Sequence, residues 1–154
     1  MDFNLLKEWK VVIAGDGPEQ KSLESLAAKL RVNVQFIGFV RDIESLYERA
    51  KIVVVTSRAE GFCNILMESL FFGIVRISTD CIAGPRELIN DGVDGFLCPV
   101  GDSVQIAKKL EILMSDEKLR DTLVQNANKR TQDFSIETIS KKWTDFINLS
   151  LEQK

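Results

Sequence analysis

Apolar residues gather in short blocks along this chain, separated by polar turns. The most apolar block, Lys51-Ile-Val-Val-Val-Thr56, is rich in β-branched residues and predicts a strand buried on both faces. A polar loop from Ser57 to Gly61 follows, then an apolar helical segment from about Phe62 to Phe72, closed by Gly73 as a C′ residue. The same strand-loop-helix pattern recurs on both sides. Trp9 to Ala14 reads as a strand and Gly15-Asp16-Gly17 as a turn. Pro18 then opens a helix with Leu23, Leu26, Ala27 and Leu30 at helical spacing. Val32 to Ile37 predicts a second strand, and Arg41-Asp42 leads into a helix with Ile43, Leu46, Tyr47 and Ala50 on one face. Ile74 to Ser78 and Phe96 to Cys98 predict two more strands, with a short helix, Arg86 to Asn90, between them. Three helices complete the pattern. They start at Asp102 or Ser103, at Ser115 or Asp116, and at Ser135, where Glu137 suits the helix dipole.

Repeated units of this length predict a Rossmann-like α/β domain, because parallel strands need crossover connections. The expectation is one mostly parallel sheet with helices on both faces over residues 1–154, the C-terminal helices occupying about 103–151. Right-handed crossovers bring every strand's C-terminal end to one edge. The loops at 15–18, 38–42, 57–63 and 79–85 therefore collect there.

Composition narrows the chemistry. The chain has 154 residues and a net charge of −3, with no dense Lys/Arg stripe, which argues against nucleic acid as a partner. No apolar run approaches the roughly 20 residues of a membrane span. Met1-Asp-Phe-Asn-Leu-Leu-Lys-Glu8 does not read as a secretory signal. Histidine is absent, and Cys63, Cys81 and Cys98 are widely spaced, so neither a metal centre nor His base catalysis is expected. The thiols read as small buried apolar residues in a reducing cytoplasm.

Two carboxylates stand out. Glu60 lies in the loop ahead of the central helix, and Glu68 lies inside it among Ile65, Leu66, Met67, Leu70, Phe71 and Phe72. Glu68 marks either a narrow exposed strip or a polar cleft where it accepts hydrogen bonds from ligand hydroxyls. Glu60 is either a solvated loop acid, helping to cap the helix, or a group at the mouth of a ligand crevice. Gly15-Asp16-Gly17 is a weak match to a dinucleotide fingerprint, since Gln20 stands where a third Gly is needed. No GxxxxGK[ST] phosphate loop exists. The better anion site is the helix start, where free N–H groups from about Cys63 to Ile65 are suited to hold a diphosphate flanked by two hydroxyl acceptors. A nucleotide sugar has that layout.

Glu60-Gly-Phe-Cys-Asn-Ile-Leu-Met-Glu68 resembles the E-x7-E motif of family 4 glycosyltransferases, which share the GT-B fold. Further blocks match in order: Val12 to Glu19, Phe36 to Asp42, Ser78 to Ile89 and Asp91 to Asp102. The Ser-Thr-Asp-Cys-x-x-Gly-Pro-Arg-Glu form is similar to enzymes that build lipopolysaccharide cores and lipid-linked oligosaccharides from UDP-hexoses or UDP-N-acetylhexosamines.

The resemblance implies that Glu60 acts at the donor hexose hydroxyls as the catalytic acidic group and that Glu68 binds the ribose hydroxyls. It places the diphosphate on the backbone around Gly61, Phe62, Cys63, Asn64 and Ile65, and the base on Gly38, Phe39 and Val40. Transfer would retain anomeric configuration without metal or other cofactor. The acceptor would be a glycan or lipid-linked glycan. The full-length enzyme would be cytoplasmic, at the inner face of the membrane. The chain departs from the family in several places. It lacks the Gly-Arg…Lys segment that neutralises the diphosphate, which Lys7 and Lys10 do not match, and it lacks the N-terminal acceptor domain. Cys63 stands where Gly is common, and Gly73-Ile-Val-Arg76 has no Pro. The fragment alone is therefore expected to be inactive. A non-catalytic α/β interaction module, and a fragment of a sugar-nucleotide epimerase, stay open as other readings.

Overall fold

The computed structural model describes residues 9–152. Five strands alternate with helices: β1 Val11–Ala14, α1 Gln20–Leu30, β2 Val34–Gly38, α2 Glu44–Tyr47, β3 Ile52–Val55, α3 Asn64–Phe71, β4 Val75–Thr79, α4 Pro85–Leu88 and β5 Phe96–Cys98. Helices α5 Ser103–Ser115 and α6 Glu117–Asn128, a 3₁₀ turn Thr131–Phe134 and α7 Ile136–Glu152 follow. Every strand pairing is parallel, as the crossovers require.

The strands do not form one continuous ladder. β1 pairs with β2, and separately β3 pairs with β4 and β4 with β5. β3 is consequently an edge strand and only Val55 of it is buried, which corrects the expectation of a strand covered on both faces. The fully buried strand is β4, flanked by β3 and β5, with all of its residues buried.

Two apolar clusters cover the β3-β4-β5 sheet. Val75 and Ile77 of β4 join Phe96, Cys98, Leu113 and Leu123, under α5 and α6. On the other side Val55 joins Cys63, Leu66, Leu88 and Ile89, under α3 and α4. The intervening β4 position is Arg76, fully buried, whose guanidinium donates to Leu88 O and to the backbone and side chain of Asp94. Asp94 also takes Arg130 Nη1 at 3.0 Å and the Asn90 amide at 3.0 Å. This network ties β4 to the turn before β5 and to the end of α6. Burial lowers the Arg76 pKa from its usual range, and the Asp94 charge opposes that.

The local signals work where the chemistry is local. Asp102 caps α5 by accepting from Gln105 N, and Asp116 caps α6 by accepting from Leu119 N, each at 2.9 Å. Gly73 sits at φ +64° just past α3, as its C′ role predicts. The apolar stripe of α1 does not become core, because Leu23, Leu26 and Leu30 remain 42%, 49% and 60% exposed. α7 buries no residue, and Trp143, Phe146 and Ile147 lie open along it.

Candidate functional site

The candidate site is built on β3, the loop after it and α3. Val55 anchors the strand end in the core, so the chain emerges at the C-terminal edge of the sheet and turns through residues 56–63 into the helix. Ser57 Oγ donates to Glu60 Oε1 at 2.5 Å, and Thr79 Oγ1 at the end of β4 donates to Ser57 O at 2.5 Å. Glu60 is thereby fixed to two adjacent strands while remaining half-buried. The Ser57-x-x-Glu60 spacing, a local side-chain hydrogen-bond pattern, is the signal that could have revealed Ser57.

α3 starts at Asn64, two residues later than the apolar pattern suggests, with Cys63 as its N-cap residue and no side-chain cap. Leu66 N and Met67 N donate to Cys63 O at 3.1 and 3.2 Å. Among the described residues no oxygen acceptor meets the N–H groups of Phe62, Cys63 and Asn64. The Cys63 thiol is buried against the Leu66 and Ile65 amides; burial pushes its pKa up, and the amides oppose that. Gly84 packs on the same turn. A Cβ there would stand 3.2 Å from Gly61 O and 3.3 Å from Cys63 N, and its φ is +80°, so the position requires Gly.

Glu68 lies on the exposed strip of α3 with Asn64, Ile65, Phe71 and Phe72, while Leu66, Ser69 and Leu70 face inward. Neither acid is walled off by packed side chains. Glu68 has a partner that the sequence did not reveal. Tyr47 of α2 donates its hydroxyl to Glu68 Oε2 at 2.8 Å. The Tyr47 ring is buried beside Phe72, centroids 5.2 Å apart. Burial first, then the Glu68 carboxylate, pushes the Tyr47 phenol above its ordinary range, so it stays protonated as a donor. The Cys63 thiol lies within electrostatic reach of both Glu60 and Tyr47.

The loop proposed for the base begins at Gly38, whose φ of +65° turns the chain and whose carbonyl accepts Gly15 N at 2.7 Å. Phe39 is 72% exposed and Val40 is half-buried. A cavity of about 550 Å³ lies elsewhere, between the ends of β4 and β5, lined in part by Asp80, Arg86, Asn90 and Gln105. Arg86 Nε meets Asp80 Oδ1 there at 2.5 Å and holds the Asp80 carboxyl below the usual carboxylate range. Among the described residues no group of three or more His, Cys, Asp or Glu side chains is arranged to hold a metal ion. No described helix is long and apolar enough to cross a membrane.

The family model described as "Glycosyl transferases group 1" matches residues 3–130. The chain belongs to that family. A similar relative is the GalNAc-alpha-(1->4)-GalNAc-alpha-(1->3)-diNAcBac-PP-undecaprenol alpha-1,4-N-acetyl-D-galactosaminyltransferase of Campylobacter jejuni, 41% identical over 147 residues, 96% of this chain and 41% of the relative. The group 1 glycosyltransferase chain thus spans about two fifths of that relative's length. Anabaena HepE in complex with UDP superimposes with a TM-score of 0.83 at 25% identity, covering 95% of this chain and 44% of HepE. The C-terminal domain of a glycosyl transferase group 1 family protein, LpcC of Francisella tularensis, gives 0.74 at 33% identity, over 84% of this chain and 72% of that one. The fold is that of one α/β domain of the GT-B glycosyltransferases, as the ordered motifs imply. Some relatives are named for bacterial polysaccharide biosynthesis, the capsular polysaccharide biosynthesis glycosyltransferase CapM of Staphylococcus aureus among them.

Proposed function

We propose that this chain is the donor-binding half of a retaining glycosyltransferase that uses a UDP-sugar in bacterial polysaccharide, lipopolysaccharide or glycan assembly. One observation carries the reading. A single strand-loop-helix unit presents an anchored acid, Glu60, and an outward acid, Glu68, with the unmet amides of Phe62, Cys63 and Asn64 between them in sequence. A diphosphate accepts hydrogen bonds from such amides and is favoured by the positive end of the helix dipole. The sugar and ribose on either side supply hydroxyl donors for the two carboxylates.

In this reading Glu60 accepts from the donor hexose as the leaving diphosphate departs, Glu68 accepts from the ribose, and Gly61 to Ile65 seat the diphosphate. Gly38, Phe39 and Val40 hold the base. The amide dipoles stabilise the leaving group, so no metal or other cofactor is required. HepE was crystallised with UDP, which favours that nucleotide here. The Campylobacter relative's name favours an N-acetylhexosamine donor and a lipid-linked glycan acceptor. A partner domain outside this chain then supplies the acceptor face, and the open apolar surfaces of α1 and α7 are consistent with such a neighbour. The full-length enzyme works in the cytoplasm, at the membrane's inner face, with no nucleic-acid partner.

Calorimetric and amide-shift titration of the chain with UDP, UDP-sugars and GDP tests this. The expected result is weak UDP binding that moves the Asn64 and Ile65 amide signals, is insensitive to EDTA, and occurs without sugar transfer. Glu68→Ala is expected to weaken binding by about 1–3 kcal/mol through loss of a charged acceptor. Silence with every nucleotide at millimolar concentration would reject the assignment.

A further inference from the structure

Glu68 is an exposed helical carboxylate that is nevertheless held at one oxygen. Tyr47 donates to Oε2 at 2.8 Å, and the ring that carries that hydroxyl is itself locked by burial beside Phe72. An isolated surface Glu samples many rotamers and loses that freedom when it binds a ligand. Here one oxygen is pinned before any ligand arrives, and the other, Oε1, is bound to no described residue. Tyr47 also ends α2, the helix that follows the 38–43 loop. The same tyrosine therefore fixes the proposed ribose acceptor relative to the proposed base loop.

The geometry points to Tyr47 as a positioning residue: its hydroxyl orients Glu68 so that the free carboxylate oxygen receives the vicinal hydroxyls of a ribonucleotide. This rests on the site reading given under Proposed function. Two features separate it from simple satisfaction of a buried phenol. Any small polar group or water would satisfy the Tyr47 hydroxyl, yet the acceptor is an ionised group with spare lone pairs. That acceptor also stays on the solvent face of α3, one helical turn beyond the unmet Asn64 amide. The arrangement selects ribose over a 2′,3′-dideoxy sugar, because only the former offers vicinal hydroxyl donors to the oriented oxygen.

The test compares Tyr47→Phe with the unsubstituted chain for binding of UDP and of 2′,3′-dideoxyuridine diphosphate. The variant keeps the ring and its contact with Phe72, and thermal melting confirms that it folds. Loss of an oriented contact between neighbouring groups is expected to weaken UDP about three- to thirty-fold while leaving the dideoxy analogue unchanged. In a Glu68→Ala background, Tyr47→Phe is expected to have no further effect. Equal weakening of both nucleotides would show that Tyr47 only packs, and would overturn the inference. UDP binding that depends on Glu68 but not on the Tyr47 hydroxyl overturns this inference alone. Failure of the unsubstituted chain to bind UDP removes the site reading and the inference together.

Discussion

Gly84 shows how much one residue without a side chain can decide. It lies in the turn before α4, far in sequence from Glu60, yet it touches the peptide that leads into α3. Gly84→Ala would place a methyl 3.2 Å from Gly61 O at a φ of +80°. Strain at such a position costs about 1–3 kcal/mol. The relief available is outward movement of residues 61–63, which carry the proposed diphosphate amides. The expected outcome is a lower melting temperature together with weaker UDP binding, read by calorimetry on the same sample. The two acids themselves were legible, because a Glu inside an apolar helix and a Glu ahead of one are anomalies of pattern. Tyr47, by contrast, reads as an ordinary core-facing aromatic. Its partner lies 21 residues away, and only folding brings α2 against α3.

Among the elements, β4 carries the strongest internal tension. Its Arg76 is fully buried in a strand where the neighbouring Val75 and Ile77 are apolar, and its Nε has no partner among the described residues. Asp94 compensates it and also collects Arg130 and Asn90. Removing the acid strands a buried cation, whereas replacing the cation by an apolar side chain leaves Asp94 with its other donors. Asp94→Ala is therefore expected to cost about 3–5 kcal/mol, and Arg76→Met distinctly less. Urea unfolding of both variants checks the order; equal losses would mean that the buried pair is not the main contribution. Pattern reasoning located β4 and marked Gly73-Ile-Val-Arg76 only for its missing Pro. The Arg76 charge was not singled out, since its partner Asp94 arrives from the turn before β5.

At the scale of the whole molecule, two open apolar surfaces lie among the described residues. One is the β1-α1-β2 unit, where Val11, Val12 and Ile13 are 49%, 37% and 37% exposed. The other is α7, with Trp143 and Phe146 each 62% exposed. The chain itself gains little from these side chains, so Trp143→Ala and Phe146→Ala are each expected to change its stability by no more than about 0.5 kcal/mol. A larger loss in thermal or urea melts would mean that α7 packs on the chain in solution. In the usual doubly wound order the first strand sits at the centre, between the two halves of the sheet. Here β1-β2 and β3-β4-β5 are two separate ladders.

The sequence by itself determined the order of the elements, their parallel pairing, the capped helix starts, and the strand-loop-helix unit with its paired acids. Those follow from periodicity and from contacts a few residues apart, which a linear pattern records. Only the tertiary structure decided that β4 rather than β3 is the buried strand, that β1-β2 and β3-β4-β5 form separate ladders, and that Ser57, Thr79, Gly84 and Tyr47 support the candidate site. Burial and long-range hydrogen bonds depend on which surfaces meet, and that is settled when strands and helices pack, not by the local spacing of residue types.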